Sequence, residues 1–379
     1  MSIAQIEKRR PRRVAVHDNW LDRPFANFGE QLLAIRTAAL AQVSAGLAGQ
    51  VDMRLFELQR RAAAAGGSEA VPADGGFLVA PEFADRMAAK IYGTGFFLQR
   101  CTYLPIGTDN ATSKKIPGFD EQSRADGSRF GGVRGYWANE ADQVTASRPK
   151  YRMIELTLKK LIALSYATDE MLRDAALLGA ALELAFTNEF RFKAEQGAFS
   201  GTGVGQFQGV LNSSALITVA AETGQSSATI VGQNVAKMKA RMWAPSRVRA
   251  VWFCHADLEE QLPFLTLPIG TAGSQLPLFK FSESDDEPDR LMGRPVMVSE
   301  YAAVPGTVGD LVLVDPGEYA VCDKQPGIAP AVSMHIRFLT DEAAFRIVWR
   351  VDGQPMWHTA VTPATGGNTQ SPYVALAAR

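Results

Sequence analysis

From Ile154 to Tyr166 the even positions read Ile, Leu, Leu, Lys, Ile, Leu, Tyr, while the odd ones are Glu155, Thr157, Lys159, Leu161, Ala163 and Ser165. Alternation of period two held that long specifies a strand about twice the usual length. Its natural partner lies near ATSKKIP at 111–117, which makes residues 118–150 the tip of a long β-hairpin arm. The tip carries Arg124, Arg129, Arg134, Arg148, Asp120, Glu121, Asp126, Glu140 and Asp142 among Gly127, Gly131, Gly132 and Gly135, and it cannot bury a core of its own. A loop of that length in a compact domain is either functional or disordered.

After the strand, Asp174 is placed to cap a helix reaching about Ser200, with Leu178, Leu182, Phe186 and Phe190 at four-residue spacing and Phe199 near its end. At 1.5 Å per residue such a helix is ~40 Å long, the length of a strut. Preceding the arm, residues 25–65 read as two short helices, with Leu33, Leu40 and Leu47 seven apart, Gly46 and Gly49 breaking the repeat, and Asp52 as a second cap. A coiled coil needs more heptads than these. AAAAGGSEAVPADGG at 62–76 is a linker by composition, and the folded body is expected to begin after it.

The second half changes character. Short strands at 247–254, 294–299 and 310–315 alternate with helical stretches near 233–243 and 256–262, a separate mixed lobe. Near the end, Phe345, Ile347, Trp349 and Val351 alternate with Arg346, Val348, Arg350 and Asp352, and Asp352-Gly353 reads as a hairpin turn into PMWHTAV.

Composition narrows the function. The chain of 379 residues is 46% apolar, enough for a sizeable core in two or three lobes. Thirty-nine Lys and Arg against 40 Asp and Glu leave a net charge of −1, so any nucleic-acid contact must be local. Cys101, Cys254 and Cys322 form no CxxC pair and read as thiols in a reducing compartment. The start, MSIAQIEKRRPRR, lacks the apolar stretch of a signal peptide, and no run is long enough to span a membrane. Synthesis and folding in the cytoplasm are expected.

Catalytic signatures are missing. His17, His255, His335 and His358 are isolated, without HExxH or a carboxylate at helical metal spacing. There is no GxSxG elbow and no GxxxxGK[ST] loop. Gly201, Gly203 and Gly205 follow a helix instead of opening one, so they read as a turn and not as a phosphate cradle. SESDDEPD at 282–289 lacks the Gly and terminal Glu of a calcium loop and reads as a solvated loop. No cofactor, metal or catalytic residue is assigned.

Several segments together resemble the major capsid protein family of tailed double-stranded-DNA phages. GGFLVAPEF at 75–83 is similar to the family's entry into its folded body, and YWANEADQVTASRPKYRMIELTLKKLIALSYATDEMLRDA to its extended loop returning into the long strand and spine helix. GAFSGTGVGQFQGVLN at 197–212 resembles its Gly-rich turn, and LMGRPVMVSEYAA, LVLVDPGEYAV and the closing strands at 338–363 follow in the family's order. The resemblance spans about 74–365. It implies an α+β fold of the Hong Kong 97 type, with an N-terminal helical arm at 1–73 and a peripheral domain at 74–105 and 154–227 built on the spine helix. The extended loop is then 106–153, the axial domain 228–335, and 336–379 the peripheral return strands and C-terminal tail.

The function implied is a structural one: many copies assembling as pentamers and hexamers into an icosahedral phage head, a virion capsid built in the host cytoplasm around double-stranded DNA held by weak contacts. Portal, scaffold or protease, and decoration proteins are the expected further partners, with no membrane. Expected contacts between subunits are Arg124, Arg129 and Arg134 meeting acidic partners, Tyr136 and Trp137 as anchors, and Glu140. Lys8, Arg9, Arg10, Arg12 and Arg13 form an inner-face basic segment that either touches DNA or a scaffold, or is merely a soluble tail. Some members weld their shells with a Lys–Asn bond from the extended loop, but residues 119–149 contain no lysine, and Ala343-Ala344-Phe345 stands where the Asn would fall, so this arm is expected to hold its neighbour without covalent help. Retention of the N-terminal arm is likewise expected. The alternatives are a bacterial nanocompartment shell of the same fold and, from another class, an enzyme with an unrecognised site.

Overall fold

The computed structural model describes residues 81–106, 111–140, 143–168, 175–269, 273–283, 287–337 and 342–379, together with 25, 29–31, 33–34, 37–38, 52–55 and 77–78. The basic segment at 8–13, His17, the Asp174 cap and most of the 1–73 arm lie outside the described residues. Of the arm, 29–31, 33–34, 37–38 and 53–55 are helical, and Asp52 accepts the backbone N–H of Arg54 at 3.0 Å.

The body opens with β1 (Phe77–Leu78), helix α1 (Pro81–Thr94), a 3-10 turn at Leu98–Arg100 and β2 (Thr102–Tyr103). The arm follows as β3 (Ser113–Phe119) and β4 (Tyr151–Thr157), then β5 (Lys159–Thr168) and the long helix α2 (Ala175–Ser200). The next strands are β6 (Ile217–Val219), helix α3 (Gly232–Arg241), β7 (Val251–Cys254), β8 (Thr266–Ile269), β9 (Ser274–Pro277), β10 (Phe279–Lys280), β11 (Arg290–Leu291), β12 (Arg294–Val298) and β13 (Leu311–Val314). Two long strands, β14 (Tyr319–Arg337) and β15 (Glu342–Pro355), and a last one, β16 (Tyr373–Leu376), complete the chain.

Two sheets carry the fold. One runs β1-β14-β15-β5 with β2 also on β14; the other runs β10-β11-β12-β7-β13-β16-β6. In the first, the alternation at 345–351 does what its pattern specifies: Phe345, Ile347, Trp349 and Val351 are buried, facing the helices. Trp349 meets the rings of Tyr92 from α1 and Phe190 from α2 at centroid distances of 5.9 and 6.2 Å, edge-on and tilted. In the second sheet β7, β13 and β16 are buried on both faces, the mark of central strands. Phe253 of β7 packs on Phe97 and on Phe199 of α2, at 5.6 and 6.0 Å, so one core crosses from the first sheet to the second.

Helix α2 matches the expected strut, with Phe186, Phe190 and Phe199 buried. Its Glu195 is also buried, and it binds the backbone N–H groups of Phe97 and Leu98 at 2.9 and 3.5 Å, capping the 3-10 turn. Tyr301 donates to the other carboxylate oxygen at 3.3 Å. Desolvation raises the Glu195 pKa above its ordinary value.

Several expectations are corrected. The alternation at 154–166 is two strands, β4 and β5, which part at Leu158 and belong to different sheets. Asp352-Gly353 is no turn: β15 runs straight through it, pairing Asp352 with Cys322 and Gly353 with Val321. Glycine is needed there for close approach, because a Cβ would lie 2.9 Å from the Tyr319 ring and 3.0 Å from that of Phe207. The strand read at 247–254 shortens to β7, since Pro245 opens a 3-10 turn at Ala244–Val248; the second helical stretch is likewise 3-10, at Ala256–Phe264. In the segment assigned to the return strands, β16 lies in the second sheet between β13 and β6. A tight turn escaped the sequence reading: Met292 and Gly293, at φ 49° and 80°, join β11 to β12 with the twist two-residue hairpins prefer.

Candidate functional site: the hairpin arm

The arm is built as its sequence pattern asks. β3 and β4 pair antiparallel from Ser113↔Thr157 to Phe119↔Tyr151. Ile154 and Leu156 point inward onto Leu104, Ile106, Ala320 and Cys322, while Tyr151 and Met153 are exposed. One side of the hairpin root is thus nailed to β14 and the other is left bare.

The root is fixed by a residue of the first sheet. Asp352, buried on β15, accepts the backbone N–H of Thr157 at 2.9 Å and pairs with the Lys159 ammonium at 2.9 Å, holding the chain on both sides of Leu158. Its carboxylate takes an N–H that a continuing β5 ladder would have given to β15. This is why the alternating stretch splits into two strands.

Beyond the root, the first residues of the tip fold back onto their own chain. Ser123 bridges to Thr362, with Arg124 N–H donating to Thr362 O at 2.9 Å and Thr362 N–H to Gln122 O at 3.1 Å. Arg124 pairs with Glu121, and its guanidinium lies 4.4 Å from the Trp243 ring, which in turn meets Trp357 at 5.8 Å. His358 approaches Asp120 at 3.4 Å. Burial, then the nearby Arg152, lowers the His358 pKa.

The tip itself is ordered by short-range contacts. Phe130, at φ 51°, turns its ring onto Phe119 at 5.3 Å, and Arg129 and Val133 exchange backbone hydrogen bonds of 2.7 Å around it. Gly131 follows at φ 77°, where a Cβ would stand 2.5 Å from Lys150 O. Arg129 donates to Ser128 O at 2.9 Å. Arg134 pairs with Asp126 at 3.0 Å, and hydrogen bonds from Ser128 and then Arg134 hold the Asp126 carboxyl below the usual carboxylate range.

The six expected contact residues therefore divide. Arg124 finds its acid, Glu121, within its own chain and is spent on docking the arm. Arg129 is half-buried in the tip turn; Arg134, Tyr136, Trp137 and Glu140 lie on the exposed side, Trp137 wholly so. Sequence reading missed Trp243 and Thr362, which lie far along the chain from the arm and carry no local motif, and took Asp352 for part of a turn instead of the anchor of the arm's root.

Burial pushes the thiols of Cys254 and Cys322 up to about 12, which removes the thiolate a nucleophile needs. Among the described residues, no group of three or more His, Cys, Asp or Glu is placed to hold a metal ion, and no helix is long and apolar enough to cross a membrane.

Residues 75–366 match the model of the phage capsid family. The chain belongs to that family. Its fold is the Hong Kong 97-type capsid fold, and this capsid protein superposes on solved shells at low identity. The capsid of a native GTA particle computed with C5 symmetry is 17% identical, with a TM-score of 0.52 over 74% of this chain and 89% of that one. The capsid of the empty GTA particle gives the same figures, 17% and 0.52. A chain from Microbacterium phage Oxtober96 is 13% identical, with a TM-score of 0.50 over 75% and 90%. No curated protein sequence matches this capsid protein. The family and fold are those of structural shell proteins, virion components present in many copies.

Proposed function

We propose that this major capsid protein assembles as pentamers and hexamers into an icosahedral head that encloses double-stranded DNA, and that it carries no catalytic activity. One observation carries the reading: a hairpin arm, fixed at its root and docked along its first tip residues, presents a fully exposed Trp137 with Tyr136, Arg134 and Glu140 beside it. A tryptophan in water at the end of a braced arm costs solubility unless a partner covers it. The bare face of β5, where Ile162, Leu164 and Tyr166 are exposed beside Arg346 and Arg350, is a matching acceptor on a neighbouring copy. Its apolar centre suits Trp137, and its basic flank suits Glu140. On this reading the first sheet with α2 forms the peripheral domain; the axial domain, drawn from the sequence as 228–335, ends before β14, because that strand from Tyr319 onward belongs to the first sheet, and the basic segment at 8–13 meets DNA on the inner face.

Sedimentation and electron microscopy of the purified protein test the proposal. Large uniform shells are expected; species that never exceed small oligomers overturn it, and shells filled with a cargo enzyme instead of nucleic acid replace the phage head with a compartment. Deleting 125–148, which spares the docked residues 120–124, should leave a folded, soluble subunit that closes no shell. Normal particles from that variant exclude the arm.

A further inference from the structure

Strands β7 and β12 run parallel, with Trp252, Phe253 and Cys254 opposite Val296, Met297 and Val298, so the second sheet has a start and a finish. Its start is basic. Arg247 lies just before β7, Arg294 opens β12 and donates to Val248 O, and Lys239 of α3 donates to Met292 O at 2.7 Å in the turn leading into β12. All three cations spend hydrogen bonds on backbone carbonyls, and none has a carboxylate partner among the described residues. Burial, then Arg294 and Arg247, lowers the Lys239 pKa. Val248 stands 75% exposed beside them.

The finish of the same strands is acidic. Asp257, Glu259 and Glu260 lie in the 3-10 turn directly after β7, and Glu300 follows β12; all are exposed. His255 Nδ1 comes within 3.5 Å of Asp257, whereas Glu259, Glu260 and Glu300 have no cation partner among the described residues. Lys and Arg are absent from 255–264 and 299–310, and Arg379, which reaches this end from after β16, is spent on the buried Asp310 at 2.6 Å. Val304, exposed at 60%, and Val308 supply apolar surface next to the acids.

We infer that these two ends meet between copies: the Lys239, Arg247 and Arg294 end of one subunit's second sheet docks on the Glu259, Glu260 and Glu300 end of the next. The contact is head-to-tail, because each copy carries both halves at opposite ends of one strand pair. Heterologous contacts of this kind close into rings when the rotation per copy divides a full turn. The charges then steer encounter and exclude the head-to-head pairing that would bring like ends together, while Val248 and Val304 provide the surface that is buried. A phosphate backbone would also suit three cations. The second copy is the better fit, because an exposed valine offers a phosphate nothing and the complementary acids are present on every subunit.

This inference rests on the shell-forming reading and names a second contact within it, distinct from the hairpin arm. The test uses full-length protein in three forms: K239E/R294E, E259K/E260K, and an equimolar mixture of the two. Each reversed form alone should keep its fold by circular dichroism and melting temperature, yet lose rings and shells by native mass spectrometry and electron microscopy, at least tenfold in yield. In the mixture the reversed basic end of one form attracts the reversed acids of the other, and the unreversed ends attract as in the wild type, so a ring in which the two forms alternate is attractive at every contact; alternation needs an even number of copies, and recovery of mixed six-membered rings supports the contact. Normal shells from K239E/R294E overturn it, and if those shells retain less DNA the basic end faces nucleic acid instead. Failure of the wild-type protein to form any shell would overturn the shell-forming reading itself, an outcome separate from these.

Discussion

The carboxylate of Asp352 accepts the backbone N–H of Thr157 at 2.9 Å, joining the middle of the first sheet to the root of the hairpin arm. The same group accepts from Gly353 N–H at 2.8 Å and holds Lys159. Asp352→Ala leaves a buried N–H without a partner and breaks a largely buried ion pair, at a cost of about 3 kcal/mol. Asp352→Asn keeps one acceptor and should cost roughly half as much. Urea unfolding of the two variants checks this order, and hydrogen exchange at Thr157 should rise in both.

Much of the fold was legible where a periodic pattern met one environment along its length. Phe345 to Val351 face one core, and Phe186, Phe190 and Phe199 line one helix, so period alone located them. The 154–166 stretch shows why the rest was not. Its alternation is continuous, but the partner changes at Leu158, and the cause is a side chain nearly 200 positions later. Gly353 misled for a related reason: it reads as a turn, yet its missing side chain makes room for Tyr319 and Phe207. The arm was recognisable from its glycines and charges, whereas the docking of Arg124 on Trp243 depends on long-range placement that no local pattern records.

Gly95 and Glu195 form a second such pair. A Cβ at residue 95 would fall 2.6 Å from Glu195 Oε1, the atom that caps the 3-10 turn at Phe97. Gly95→Ala must displace that carboxylate and is expected to destabilise by about 2 kcal/mol. The double variant Gly95→Ala/Glu195→Ala should cost less than the sum of the single changes, which a double-mutant cycle in urea measures.

Asp323 carries a pH dependence. Burial raises its pKa to about 6, against hydrogen bonds from Tyr103 and Tyr92 that pull it down. An unfolded chain gives up this proton near pH 4, so between about pH 4 and 6 the native state holds more protons and stability falls as pH rises. The loss approaches about 2–3 kcal/mol and is complete above pH 7. In Asp323→Asn that slope should vanish; an unchanged difference between variant and wild type across pH 4 to 7 would refute the assignment.

Thiol reactivity follows from burial. With Cys254 and Cys322 held at about 12, iodoacetamide at pH 8 should leave both unlabelled in the native subunit and modify both in urea. Mass spectrometry of native protein showing rapid labelling at either position would contradict the closed core around β7 and β14.

Arg124 separates docking of the arm from folding of the body. Its guanidinium lies over Trp243 while its backbone bonds Thr362, so the side chain adds to a contact that the main chain already makes. Arg124→Ala should therefore leave the melting temperature of the body almost unchanged while loosening the tip by about 1 kcal/mol, the range of a partly buried cation–π contact. Trypsin cleavage after Arg129 and Arg134 should quicken severalfold, and Trp243 fluorescence should change with it. Arg124→Lys keeps the charge but loses the planar stack, so it should fall between the two. Cleavage at the wild-type rate in Arg124→Ala would mean that the main-chain bridge at Ser123 and Thr362 alone holds the arm.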